Sequence, residues 1–174
     1  MKTLLTFILV VFLGEMLCAQ KTQVMFYGYT ESGSIATEIE QKRAKKPQKI
    51  AEVNVNVFCK DSLISAIKSR DTGFYAILLE AGQDYKVVFE KEGYHCKSFQ
   101  LNCSKISASE GEQAIKCLTD ITLYPKKENQ ELIDLCSTPF AVAHFDITTG
   151  NMEWNMEYTE KIKAQLYSVA EMPE

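Results

Sequence analysis

Apolar and polar positions alternate with period two through most of the chain beyond residue 20, the repeat of strands that turn one face inward and the other outward. The clearest instance sets Val53, Val55 and Val57 against Asn54, Asn56 and Phe58, a β-branched inner face opposed to a more polar outer one. Val24, Phe26 and Gly28 alternate with Met25, Tyr27 and Tyr29, so both faces of this first strand are largely apolar or aromatic and both are expected to be covered. Further strands are predicted over 62–68, 74–79, 85–90, 94–101 and 118–124, which makes seven. Asp71, Thr72 and Gly73 form a turn cluster, Ala81 and Gly82 a second, and Glu92 and Gly93 a third. Strands recurring about every ten residues with turns between them argue for a sandwich or barrel rather than a parallel α/β sheet.

Two stretches break the alternation. Residues 30–49 carry Glu31, Glu38 and Glu40 and then Lys42, Arg43, Lys45, Lys46 and Lys49, a long charged loop read as a solvated connection in preference to an anion-binding patch. Residues 104–113 are polar, with room for a short helical turn. After Pro125 the composition turns charged through Lys126, Lys127, Glu128 and Glu131, and the main module is expected to end there. Alternation resumes over 140–146, Thr149, Gly150 and Asn151 supply a turn, and 152–154 returns as the second arm of a hairpin. Tyr158, Ile162, Leu166 and Val169 then recur at helical spacing, with Asn155 as N-cap and Glu157 in the first turn. So short an amphipathic helix needs its apolar stripe packed on the hairpin or sandwich.

The amino terminus changes the setting of this module. Lys2 precedes an apolar run from Leu4 to Leu13, the length of a signal-peptide core and too short for a bilayer span, since Gly14 and Glu15 interrupt it. Residues 1–19 are therefore read as a signal peptide cleaved after Ala19, with the product in the periplasm or at the cell surface. Acylation of Cys18 is the rival, disfavoured because Glu15, Met16 and Leu17 are not the small residues that precede a lipidated cysteine. The remainder suits one domain of ordinary size over 20–125 and an appendix over 126–174. The formal charge of −4 argues against nucleic acid as a partner.

Five cysteines follow the export segment: Cys59, Cys96, Cys103, Cys117 and Cys136. An oxidising compartment permits disulfides, and the odd count leaves at least one thiol unpaired within the chain. Bridges and buried thiols both remain open, and so does the connectivity. No C-x-x-C pair occurs, and His95 and His144 are the only imidazoles, so neither a structural zinc site nor any other metal is expected.

Residues 51–101 resemble the carboxypeptidase regulatory-like domains, a transthyretin-like family. The strand 53–57 precedes Asp71, Thr72, Gly73, Phe74 and Tyr75; Leu79, Gly82, Tyr85 and Val87 follow, and Lys91, Gly93 and Tyr94 close the run. The resemblance implies a mainly β fold, a seven-stranded transthyretin-like β-sandwich, here with a C-terminal β-hairpin and short amphipathic helix. Gly73, Gly82 and Gly93 are its turn positions, Phe74 and Tyr85 its aromatic core bulk, and Tyr94 follows the last turn. Family members have a brief turn where this chain has the long loop 30–49. Residues 140–162 are similar to tails that follow such domains in envelope proteins.

No catalytic constellation accompanies the module. G-x-S-x-G, H-E-x-x-H and a glycine-rich phosphate loop are all missing from the sequence. The Tyr-Arg-Gly-Ser tail of the transthyretin-like hydrolases has no counterpart, and the zinc carboxypeptidases that carry this domain hold their metal in a separate one. The expectation is a non-catalytic exported accessory protein, without cofactor, that binds or braces another envelope component. The alternatives are a carbohydrate-binding module using Tyr27, Tyr29, Tyr94 or Trp154 as stacking rings, and a small transthyretin-like hydrolase. The first requires several of those rings on one exposed patch.

Overall fold

The computed structural model describes residues 22–35, 47–107, 114–126 and 134–170, without the side chains of 167, 169 and 170. The export segment, the basic residues Lys42, Arg43, Lys45 and Lys46, residues 108–113, and Lys127, Glu128 and Glu131 lie outside the described residues, as does the Val169 side chain. Among the described residues the fold is mainly β, with two multi-stranded sheets and one C-terminal helix.

The first sheet is built around β1 (Gln23–Ser32). On one side β1 pairs antiparallel with β2 (Gln48–Lys49) and β5 (Phe74–Glu80); on the other it pairs parallel with β8 (Ile115–Leu118) and β9 (Ile121–Leu123). The Thr30 amide donates to the Gly73 carbonyl and the Thr30 carbonyl accepts from the Ile50 amide, which puts β2 and β5 along the same edge of β1. The sheet is thus three columns wide. The second sheet runs β11-β10-β7-β6-β3-β4, formed by β3 (Asn54–Cys59), β4 (Ser62–Lys68), β6 (Asp84–Glu90), β7 (Lys97–Asn102), β10 (Ala141–Asp146) and β11 (Asn151–Trp154). Its neighbours are antiparallel except β10, which lies parallel to β7 with Ala141 opposite Phe99. The C-terminal hairpin therefore continues this sheet, and α1 (Met156–Ala170) packs beside β10.

The sheets meet across aromatic rings. Phe26 and Tyr75 of the first sheet approach Phe89 of the second at centroid distances of 6.4 and 5.0 Å, and Phe89 stands edge-on to Phe99 at 5.7 Å. Val53, Val55 and Val57 are fully buried, as their alternation predicts. A buried polar knot ties the sheets at one end: the Val53 amide donates to Ser69 Oγ at 3.0 Å, while Thr30 Oγ1 lies 2.6 Å from the Ile50 carbonyl and 3.2 Å from Ser69 Oγ.

Two predicted strands and one predicted core residue differ from what forms. The strand expected over 94–101 begins only at Lys97, because Tyr94 bridges Pro125 and the His95 amide donates to the Tyr124 carbonyl. The strand expected over 118–124 is two strands interrupted at Thr119 and Asp120. There Asp120 Oδ1 takes over the Tyr29 amide at 2.9 Å, and the Thr119 carbonyl accepts the Tyr75 hydroxyl at 2.7 Å. Phe74, expected in the core, stands half-buried on the outward face, and its neighbour Tyr75 fills the core instead. Period two makes that exchange a matter of one residue in parity. The helix forms with its expected cap, the Tyr158 amide donating to Asn155 Oδ1 at 3.0 Å, and with Ile162 and Leu166 buried.

Candidate functional site

On β1 the positions that face away from the core are Met25, Tyr27 and Tyr29, each only half-buried. Register extends this apolar row sideways in both directions. Met25 lies opposite Leu78, Tyr27 opposite Ala76 and Tyr29 opposite Phe74 on β5, while Tyr27 also lies beside Leu118 on β8. Residues in register on adjacent strands share one face, so these side chains make a single surface. Leu78 is 57 % and Leu118 63 % exposed, far more than isolated core-facing leucines would be. The expectation that both faces of β1 are covered therefore does not hold among the described residues: one face is core, and the other belongs to an open apolar sheet surface.

Cations border that surface. Lys49 Nζ sits 3.1 Å from the centroid of the Tyr29 ring, and the Arg70 guanidinium lies 5.5 Å from that of Phe74. Tyr29 and Phe74 pack edge to face at 5.6 Å. Lys116, the partner of Met25 on β8, is exposed at the far side. The result is a flat patch with an apolar centre and a charged rim, the composition of a protein-contact surface.

The four rings proposed for sugar stacking do not converge. Tyr27 and Tyr29 share the outward face, but Trp154 packs on Phe26 and Phe99 at 6.4 and 6.0 Å, and Tyr94, in the β6–β7 link, bridges Pro125. Of the resemblance residues, Gly73, Gly82 and Gly93 have φ of 79°, 85° and 80° and serve turns. Tyr85 is buried, its hydroxyl donating to the Glu80 carbonyl at 2.8 Å, and burial first, then the nearby Cys59 and Cys103, push its pKa up to about 12. These positions shape the fold and do not gather into a site.

The cysteines divide between both possibilities. Cys96 and Cys136 form a disulfide with Cα atoms 5.4 Å apart, and Cys59, Cys103 and Cys117 are buried thiols. Burial pushes the Cys103 thiol up to about 12 and the Cys117 thiol to about 11, so neither is a nucleophile near neutrality. Glu90 lies beside the disulfide, its Oε1 3.9 Å from Cys136 Sγ, completing a three-residue group of metal-ligand type. With the sulfurs bonded to each other neither is a thiolate, which is the form that binds metal. His95 is lowered in pKa by burial and by Lys126, and His144 is exposed on β10 opposite Glu153.

One buried charge had no signal in the alternation. Lys97 is 1 % exposed at the start of β7, where Nζ donates to the Thr122 carbonyl at 3.0 Å and to the Tyr124 hydroxyl at 3.2 Å and lies 3.6 Å from the Phe140 ring centroid. It borders a cleft of about 190 Å³ that opens between the β8–β9 link and α1. A larger cleft of about 450 Å³ lies at the β3–β4 turn, beside Cys59 and Lys86.

No protein-family model matches this chain, and no curated protein matches it in sequence. Among solved structures it is similar to 3-chlorocatechol 1,2-dioxygenase from Rhodococcus opacus 1CP, with 12 % identity over 62 % of this chain and 61 % of that one and a TM-score of 0.39. It is also similar to the major plantain pollen allergen Pla l 1, with 12 % identity over 64 % of this chain and 100 % of the allergen and a TM-score of 0.37. For S.CueP the values are 15 % identity, 59 % of this chain, 61 % of that one and a TM-score of 0.32. The matches thus span about three-fifths of the dioxygenase and of S.CueP. Likenesses this distant carry no functional argument.

Proposed function

We propose that this protein is a non-catalytic exported accessory module that binds another cell-envelope protein through the outward face of its first sheet. The observation that carries the reading is the register-continuous surface of Met25, Tyr27, Ala76, Leu78 and Leu118, with Leu78 and Leu118 more than half exposed. A flat apolar face gives little purchase to a small molecule, which needs concavity, but suits a second flat surface. The charged rim of Lys49, Arg70 and Lys116 favours a partner with acidic residues around an apolar centre. Two facing sheets enlarged by a hairpin also fit a transthyretin-like sandwich of the carboxypeptidase regulatory-like kind. Support for that reading comes from the strand 53–57 and the glycine turns at Gly73, Gly82 and Gly93.

The test is affinity purification of the crosslinked protein from its native envelope, in parallel with the double variant Leu78→Asp, Leu118→Asp. A partner recovered with the unaltered protein and lost with the folded variant supports the proposal. Equal recovery from both refutes it. Glycan binding is the second reading, favoured by Tyr27 and Tyr29 on one face, although Lys49 covers one side of the Tyr29 ring. Saturable binding of envelope glycan that Tyr27→Ala abolishes, with no protein partner, would replace the first reading by this one.

A further inference from the structure

The outer edge of β5 has features that the outward face does not use. Among the described residues β5 pairs with β1 alone, in unbroken register from Glu80 opposite Gln23 to Phe74 opposite Tyr29. Sheets guard such edges with bulges, charges, proline or brevity. On the second sheet β4 has its bulge and β11 has only four residues. By contrast β5 runs for seven residues, contains no proline, and carries its one charge at the last position, Glu80.

The ladder with β1 fixes which backbone groups of β5 point away from it. The Thr30 amide donates to the Gly73 carbonyl and the Ala81 amide to the Thr22 carbonyl, so in this antiparallel register the odd-numbered residues of β5 bond to β1. The even-numbered residues, Phe74, Ala76, Leu78 and Glu80, turn their N–H and C=O groups to the other side. At the two ends the carbonyls are engaged, that of Phe74 by the Arg70 amide at 2.9 Å and that of Glu80 by the Tyr85 hydroxyl at 2.8 Å. Between them the backbone donors and acceptors of Ala76 and Leu78 have no partner among the described residues. Both residues are exposed, Leu78 at 57 %.

We propose that β5 pairs antiparallel with β5 of a second copy of this chain, about a twofold axis at Ile77. That register sets Ala76 opposite the partner's Leu78 and Leu78 opposite the partner's Ala76, so every open amide meets an open carbonyl in two closely spaced pairs. An axis at Ala76 or at Leu78 would instead set an open residue against Phe74 or Glu80, whose carbonyls are taken. The side chains agree with the axis at Ile77: the small Ala76 leaves room for the large Leu78 across both pairs. Glu80 falls opposite Phe74, beside which Arg70 lies, so no like charges meet. This self-complementarity is what selects a second copy over an unrelated strand. Leu118, across β1 on β8, belongs to the outward face and not to this edge, so either proposal can fail alone.

Sedimentation equilibrium of the purified protein should show a monomer and dimer in exchange. Hydrogen exchange then locates the contact: the Ala76 and Leu78 amides should slow about tenfold or more from dilute to concentrated protein, while those of Tyr75, Ile77 and Leu79 are slow at both. Ala76→Pro removes an N–H that β1 does not use, a change an edge strand accepts. It deletes two hydrogen bonds from the symmetric pair and should weaken the dimer about tenfold or more. Ala76→Lys with Leu78→Lys sets like charges across both pairs and should leave monomer, whereas Ala76→Lys with Leu78→Glu sets opposite charges and should restore the dimer. Circular dichroism confirms that each variant folds, and Leu118→Asp should leave the dimer unchanged. Four results would each overturn the proposal: monomer up to millimolar concentration, a dimer that survives the two lysines, one that the lysine and glutamate pair fails to restore, or one that Leu118→Asp dissociates. Slow Ala76 and Leu78 amides in the dilute monomer would do so as well, since another segment of the chain would then hold the edge.

Discussion

Gly28 shows how a single position can be legible as a type and illegible as a requirement. Its place on the inner side of β1 follows from alternation, but a Cβ there would lie 2.0 Å from the Thr119 carbonyl oxygen, in the link that crosses over it. Backbone cannot yield as a flexible side chain does. Gly28→Ala should therefore cost about 3 kcal/mol of stability, read as a lowered urea midpoint. Gly73 is different, being readable from its turn cluster and bearing φ of 79° with the Thr30 carbonyl 2.8 Å from the site of a Cβ. The buried thiols carry a pH dependence at the same scale. Burial holds Cys103 and Cys117 protonated to about 12 and 11, whereas in the unfolded chain they ionise near the ordinary value of about 8.5. Their folded-state pKa is raised, so their stabilising contribution is complete below about pH 8.5 and is lost as pH climbs toward the folded values. Denaturation series should show stability level from neutrality to about pH 8 and falling beyond about pH 9, with a shallower fall in Cys103→Ala. Alkylation followed by peptide mass spectrometry should mark Cys59, which borders a cleft, before the other two.

Among the elements, the disulfide and the edges decide most. Cys96–Cys136 closes a separation of 40 residues and fastens the segment around Leu135, where Ser98 Oγ donates to the Leu135 carbonyl at 2.8 Å, against the start of β7. Reduction should lower stability by about 2–4 kcal/mol, measured by denaturation with and without reductant, and Cys96→Ser should reproduce the loss. β4 is an outer strand with Leu63 and Ile64 exposed, and the register shift opposite Val57 and Phe58 leaves Ile64 without a partner on β3. A bulge on an edge strand bends it away from flat pairing with another chain. The turn that starts this strand, Lys60 and Asp61, has φ of 48° and 63° without a glycine, so no turn signal announces it. The β8–β9 break was equally hidden, because what ends β8 is the side chain of Asp120 bonding to Tyr29, a partner far away in sequence.

For the whole molecule, the exposed sheet face makes a prediction that separates binding from folding. Leu78→Asp and Leu118→Asp replace side chains already more than half exposed, so stability should change by no more than about 0.5 kcal/mol each. Chemical denaturation checks that, and envelope crosslinking then reads partner loss on its own. No helix among the described residues is long and apolar enough to cross a membrane. What the sequence determined by itself was local: the period-two strands, the glycine turns, the Asn155 cap and the apolar stripe of the helix, because each depends on neighbours within a few residues. Tertiary structure alone decided that β10 lies parallel to β7, that Cys96 pairs with Cys136, that the outward side of β1 is open among the described residues, and that Lys97 is buried against Phe140. Each of those outcomes joins residues distant along the chain, and alternation reports that a strand has two faces without saying what, if anything, covers them.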